Sequence, residues 1–135
     1  MSDVPTIDVL LVEDSPADER LTREALRGGA IRARLTVVSD GVEALCYLRR
    51  EGQYGDVRRP DLVLLDLNLP KVDGREVLRQ MKADEDLASL PVVVLTASGA
   101  EEDVDAAYRD ADAYVQKPVD LPRIMAVIAA LAGRS

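Results

Sequence analysis

Five short apolar, β-branched runs, each followed by a segment with helical spacing, constrain this chain more than any other feature. The first is Ile7-Asp8-Val9-Leu10-Leu11-Val12, closed by Glu13-Asp14. A near-continuous apolar run of this length suits a parallel strand covered on both faces. Ser15-Pro16 then opens a helix, with Ser15 as cap and proline at the first helical position. Ala17, Leu21 and Ala25 supply an apolar stripe, and Gly28-Gly29 stop the helix. The unit recurs. Leu35–Val38, Leu62–Asp66, Val92–Thr96 and Ala113–Gln116 read as strands. Helices are expected over Val42–Leu48, through Val77, Leu78 and Met81, from about Glu101, and from beyond Asp120 to about Ala132. Residues 53–59 form the least regular stretch and are expected to be an exposed loop.

Strands alternating with helices imply βαβ crossovers and a parallel sheet with helices on both faces. The expected fold is a doubly wound α/β domain. No linker or low-complexity tract interrupts residues 1–135, so one domain is expected, with its core over about 7–132.

Composition then narrows the chemistry. The chain contains no histidine, which removes Ser-His-Asp and Cys-His nucleophile pairs and histidine-containing zinc sites. A net charge of −8 argues against a nucleic-acid surface, which depends on Lys and Arg. No apolar run is long enough to span a bilayer and no signal-peptide pattern opens the chain, so a cytoplasmic location is expected. The one cysteine, Cys46, cannot form an internal disulfide and reads as a small helical hydrophobe.

In an open parallel sheet, functional groups collect beyond the carboxyl ends of the strands. Glu13-Asp14, Asp66, Thr96 and Lys117 all stand at such ends. Each has a plain structural reading: Asp14 as a helix cap, Asp66 as a turn residue, Thr96 as a strand terminator, Lys117 as a solvated charge. Their joint placement is what points to a site. Three carboxylates gathered together repel unless a cation neutralises them, and a hard divalent ion such as Mg²⁺ takes carboxylate oxygens.

These residues, with Pro118 after Lys117, resemble the five-point signature of response-regulator receiver domains. Asp66-Leu67-Asn68-Leu69-Pro70 and Asp73-Gly74 match the loop after the family's phosphoacceptor. The resemblance covers nearly the whole chain. It implies a flavodoxin-like sheet of five parallel strands in the order 2-1-3-4-5 with five helices. Within the family, Glu13–Asp18, Asp40–Leu45, Leu48–Gly52 and Lys117–Asp120 are most similar to small stand-alone regulators partnered with phytochrome-type sensor kinases.

The resemblance further implies roles. Asp66 would accept a phosphoryl group from a kinase phosphohistidine. Mg²⁺ would be held by Asp14, Asp66 and the Asn68 carbonyl, with Glu13 assisting. Thr96 and Lys117 would contact the phosphoryl oxygens, a cis peptide before Pro118 would aim the lysine, and Tyr114 would be the switch aromatic. The chain would act as a phosphoacceptor switch in two-component signalling, catalysing only its own phosphorylation and dephosphorylation. With no effector domain attached, it would work by binding a downstream protein or passing the phosphate on. One departure stands out: residues 108–114 lack the family's usual Gly-Ala pair and are one residue shorter, which bears on the switch face.

Two rivals share parts of this picture. A Mg²⁺-dependent aspartyl-phosphate phosphatase of the haloacid dehalogenase type would need a second aspartate two residues after the nucleophile, where this chain has Asn68. A flavodoxin-like FMN carrier would need a Ser/Thr-rich loop where Glu13-Asp14 stand. Finally, the outer face of the last helix reads Arg123, Ala126, Val127, Ala130, Arg134, apolar between basic ends. That pattern, with acids over residues 101–112 and the family's habit of pairing through this face, leads to an expected homodimer through helix 4, strand 5 and helix 5.

Overall fold

In the computed structural model, residues 6–27, 32–66, 74–96, 111, 113–116, 126 and 130 are described, Thr96, Ala113, Tyr114 and Gln116 by their backbone alone. Five strands run through them: β1 (Thr6–Val12), β2 (Arg32–Val38), β3 (Leu62–Asp66), β4 (Val92–Thr96) and β5 (Ala113–Gln116). They form one parallel sheet in the order β2-β1-β3-β4-β5. The expected doubly wound sheet and its strand order are therefore present. Three helices are described, α1 (Pro16–Ala25), α2 (Gly41–Arg49) and α3 (Gly74–Ala83). The fourth expected helix lies outside the described residues, as does most of the fifth, of which Ala126 and Ala130 are helical.

The apolar runs work on both faces because strand side chains alternate. Leu10, Val12, Val63, Leu65, Val92 and Val94 pack in one cluster with Ala44, Leu45 and Leu48 of α2 and Val77, Leu78 and Met81 of α3. Val9, Leu11, Leu62, Leu64, Val93 and Leu95 pack on the opposite face with Leu26, at the end of α1. Both faces of β1, β3 and β4 are thus consumed by core, and polar chemistry is pushed to the strand ends.

The helix starts follow their caps. Ser15 Oγ accepts the Asp18 N–H at 3.3 Å and Pro16 follows it, while Asp40 Oδ1 accepts the Glu43 N–H at 2.8 Å. The face of α1 differs from expectation. Leu21 is half exposed, and the buried positions are Thr22 and Leu26. A threonine side chain is small enough to sit under a helix, so the inward face runs through Thr22, Ala25 and Leu26 and leaves Ala17 and Leu21 outside. At the helix end Leu26 is right-handed and its N–H donates to the Thr22 carbonyl; Gly28-Gly29, expected to stop the helix, lie outside the described residues.

Between α2 and β3 the expected loop contains a turn of 3₁₀ helix, Gly52–Tyr54. Arg50 closes α2 in the left-handed region at φ 57° and Gly52 follows at φ 58°. The first is an unusual conformation for a side-chain-bearing residue. This corner brings the Tyr47 and Tyr54 rings to 5.1 Å at 59°. Partial burial, then the charge of Glu43, push the Tyr54 hydroxyl above its ordinary pKa. Cys46 is half-buried on α2. Among the described residues no helix is long and apolar enough to cross a membrane.

Candidate functional site

The site is assembled by strand register. Val12 of β1 stands opposite Leu65 of β3, so the residues that follow, Glu13-Asp14 and Asp66, emerge at the same level. β1 and β3 are also where the strand order reverses, since the chain passes from β1 outward to β2 and returns on the other side as β3. The crevice at such a switch point is where α/β sheets bind ligands.

There the carboxylate oxygens of Glu13, Asp14 and Asp66 come within 4.8 Å of one another. Their environments differ. Glu13 and Asp66 are 2% and 4% exposed, whereas Asp14 faces solvent. Glu13 is fixed by its backbone, whose N–H donates to the Val38 carbonyl at 3.0 Å, extending the β1–β2 ladder by one residue. The Ser15 N–H donates to Glu13 Oε2 at 3.4 Å, so the residue that caps α1 also orients the buried acid. The sequence reading missed this second duty of Ser15. Its signal was an acid placed two residues before a helix cap.

Two buried carboxylates with a third beside them are costly without positive charge nearby. The donor set consists of hard, anionic oxygens presented from a rigid strand pair. That is the chemistry a divalent cation such as Mg²⁺ or Mn²⁺ requires, and not the nitrogen and sulfur set that zinc favours. The residues present fit such an ion.

β4 and β5 bring the remaining strand ends alongside. Asp66 stands opposite Leu95, and Thr96 opposite Gln116. The Thr96 backbone therefore ends β4 one residue beyond the level of Asp66. Tyr114 lies within β5, opposite Val94. Asn68, Lys117, Pro118, Arg123, Val127 and Arg134 lie outside the described residues; Ala130 is exposed on its helix.

A parallel α/β sheet carrying three converging carboxylates at its switch point defines an acidic α/β module whose donor set suits a divalent cation. Residues 9–129 match the family model of the response regulator receiver domain. The chain is 46% identical over 121 residues to response regulator Rcp1 of a Synechocystis species, covering 89% of this chain and 82% of that protein. A Mn²⁺-bound form of Rcp1 superposes with a TM-score of 0.78 at 43% identity, over 95% of this chain and 93% of that one. The bacteriophytochrome response regulator AtBRR superposes with a TM-score of 0.83 at 42% identity, over 94% and 93%. The chain belongs to the response-regulator receiver family and is a two-component response regulator similar to those of phytochrome systems. The phosphatase alternative finds no support among these relatives.

Proposed function

We propose that this chain is a single receiver domain spanning residues 1–135 that accepts a phosphoryl group on Asp66 from a sensor histidine kinase. The observation that carries the reading is the convergence of the Glu13, Asp14 and Asp66 carboxylates within 4.8 Å at the switch point. Asp66 is the member placed to react, because it ends a fully buried central strand and the other two flank it from β1. An Asp66 carboxylate oxygen attacks phosphorus, the bond from phosphorus to the kinase imidazole nitrogen breaks, and the nitrogen keeps the electron pair. When bound, Mg²⁺ would neutralise charge on the carboxylates and the transferred oxygens. Asp14, Asp66 and the Asn68 carbonyl would hold it, with Glu13 behind them. Thr96 and Lys117 would bind phosphoryl oxygens, Pro118 would direct the lysine, and Tyr114 would follow Thr96 as the switch aromatic. The chain's own catalysis extends no further than its phosphorylation and dephosphorylation.

The similarity to phytochrome response regulators supports a phytochrome-type sensor kinase as the phosphate source, with a downstream protein or a phosphotransfer partner as recipient and a cytoplasmic setting. Incubation with acetyl phosphate and Mg²⁺ should add one base-labile phosphate. EDTA and Asp66→Asn should each abolish it, and full labelling of the Asn variant would falsify the assignment. A homodimer through helix 4, strand 5 and helix 5 is the companion proposal, supported by the exposed helical Ala126 and Ala130. Light scattering should give a dimer mass for the phosphorylated protein and a monomer for Val127→Glu with Arg123→Glu. An identical mass for both rules that face out.

A further inference from the structure

Charge is segregated along this chain. Residues 20–35 hold five arginines and one glutamate, in a chain of net charge −8. Arg20 and Arg23 stand on α1, Arg27 just beyond its end, and Arg32 and Arg34 on β2; Arg23 and Arg27 line a recess with Ala33 and Leu35 of β2. β2 is the outermost strand on its side and pairs with β1 through all seven residues without a bulge. Its other edge carries no strand among the described residues, so alternate backbone N–H and C=O groups face outward.

Charged side chains commonly blunt such an edge, and Arg34 fits that plain role. Its guanidinium is held by Asp8 at 2.8 and 3.2 Å. Two features go further. Arg20 and Arg32 are exposed and have no carboxylate partner among the described residues. Beside the strand there is also a recess of about 200 Å³, lined by the apolar Leu26, Ala33 and Leu35 and by Arg23 and Arg27. Along β2 the half-buried Ala33, Leu35 and Val37 alternate with the exposed Arg32, Arg34 and Thr36. A strand laid against this edge would meet apolar surface on one face and arginine on the other.

We propose that the β2 edge docks an extended acidic segment of a partner protein, added to the sheet as a further strand. Its apolar side chains would enter the recess, its carboxylates would meet Arg32 on the opposite face, and Arg27 at the recess would add to the attraction. Main-chain hydrogen bonds would supply affinity and the alternation would supply specificity. The chain's net negative charge would disfavour acidic segments over much of its surface, and the arginines of this edge offset it locally.

The probe is a fluorescein-labelled octapeptide of alternating Glu and Val, followed by anisotropy with the full chain. Saturable binding is expected, weakened at least about tenfold by Arg27→Glu with Arg32→Glu. Raising salt from about 0.05 to 0.5 M should weaken it by a similar factor. A peptide of equal charge with proline replacing each valine should bind at least about tenfold more weakly, because proline cannot donate to the ladder. Arg79→Glu on α3 should leave binding unchanged. If circular dichroism shows the double reversal to be unfolded, Arg27→Gln with Arg32→Gln is read in its place, with a several-fold loss expected. The proposal is overturned by absent binding, by equal binding of the proline peptide, or by arginine variants that bind as wild type does. Arginine-dependent capture by phosphatidylglycerol vesicles in place of the peptide overturns it as well.

Discussion

β3 and β2 are both parallel neighbours of β1, yet they carry opposite kinds of surface. All five residues of β3 are buried, while β2 alternates between exposed and half-buried positions until Val38. β3 lies between two strands, with core on both faces, so its one polar residue can stand only at its end, where Asp66 is. β2 has one neighbour and tolerates arginine at alternate positions. Position in the sheet, more than local propensity, decides where charge is allowed. The site at the end of this fully buried strand is therefore a consequence of topology.

The sharpest way to break that comparison is truncation. Leu64→Ala, at a fully buried position of β3, should cost roughly 2–5 kcal/mol in urea unfolding. Val37→Ala on half-buried β2 should cost about 1 kcal/mol. Equal losses would mean that the edge is as much core as the centre. A smaller effect of opposite sign is expected at the site. In EDTA, Asp66→Asn relieves carboxylate repulsion and should raise stability by about 1 kcal/mol. Mg²⁺ at ten times its Kd should stabilise the wild type by about 1.4 kcal/mol and the variant by less. A variant less stable than wild type in EDTA would show that Asp66 is held by attraction, not strained by its neighbours.

The smallest effect belongs to Glu76 on α3. Hydrogen bonds from Arg79 and Gln80 hold its carboxyl down to about 2. A lowered folded-state pKa stabilises above the unfolded value near 4.5 and is lost as pH falls toward 2. Because this carboxylate is more than a third exposed, solvent screens the pair and the slope of stability across that window should be slight. Carbon-detected NMR titration should place its midpoint well below those of other surface glutamates, and a midpoint near 4.5 would dissolve the pair.

Three strands were legible to the residue, and β2 was not. The bounds of β3, β4 and β5 agree with those read from their apolar runs. β2 begins at Arg32, three residues ahead of expectation, because Arg32-Ala33-Arg34 carries the alternating signature of a half-covered strand and not a continuous run. The acids at the strand ends were legible as a set, since three carboxylates at one edge are informative even when each alone is not. Their unequal burial was hidden: Glu13 is inside and Asp14 outside, a division set by the Val38 and Ser15 contacts. Thr22 shows the complementary failure. A residue counted as polar lies under α1 while Leu21 faces outward, because fit beneath a helix depends on volume and direction as well as polarity.

The Tyr47–Tyr54 contact governs what light can report about this protein. With no tryptophan and four tyrosines, intrinsic fluorescence comes from phenol rings alone. Two of the four emitters touch at the end of α2, and Glu43 interacts with the Tyr54 hydroxyl. Emission will therefore be quenched unevenly in the native state, and its recovery on denaturation will report the opening of the α2 corner. An optical assay of the crevice needs its own reporter, such as a tryptophan introduced beside β3.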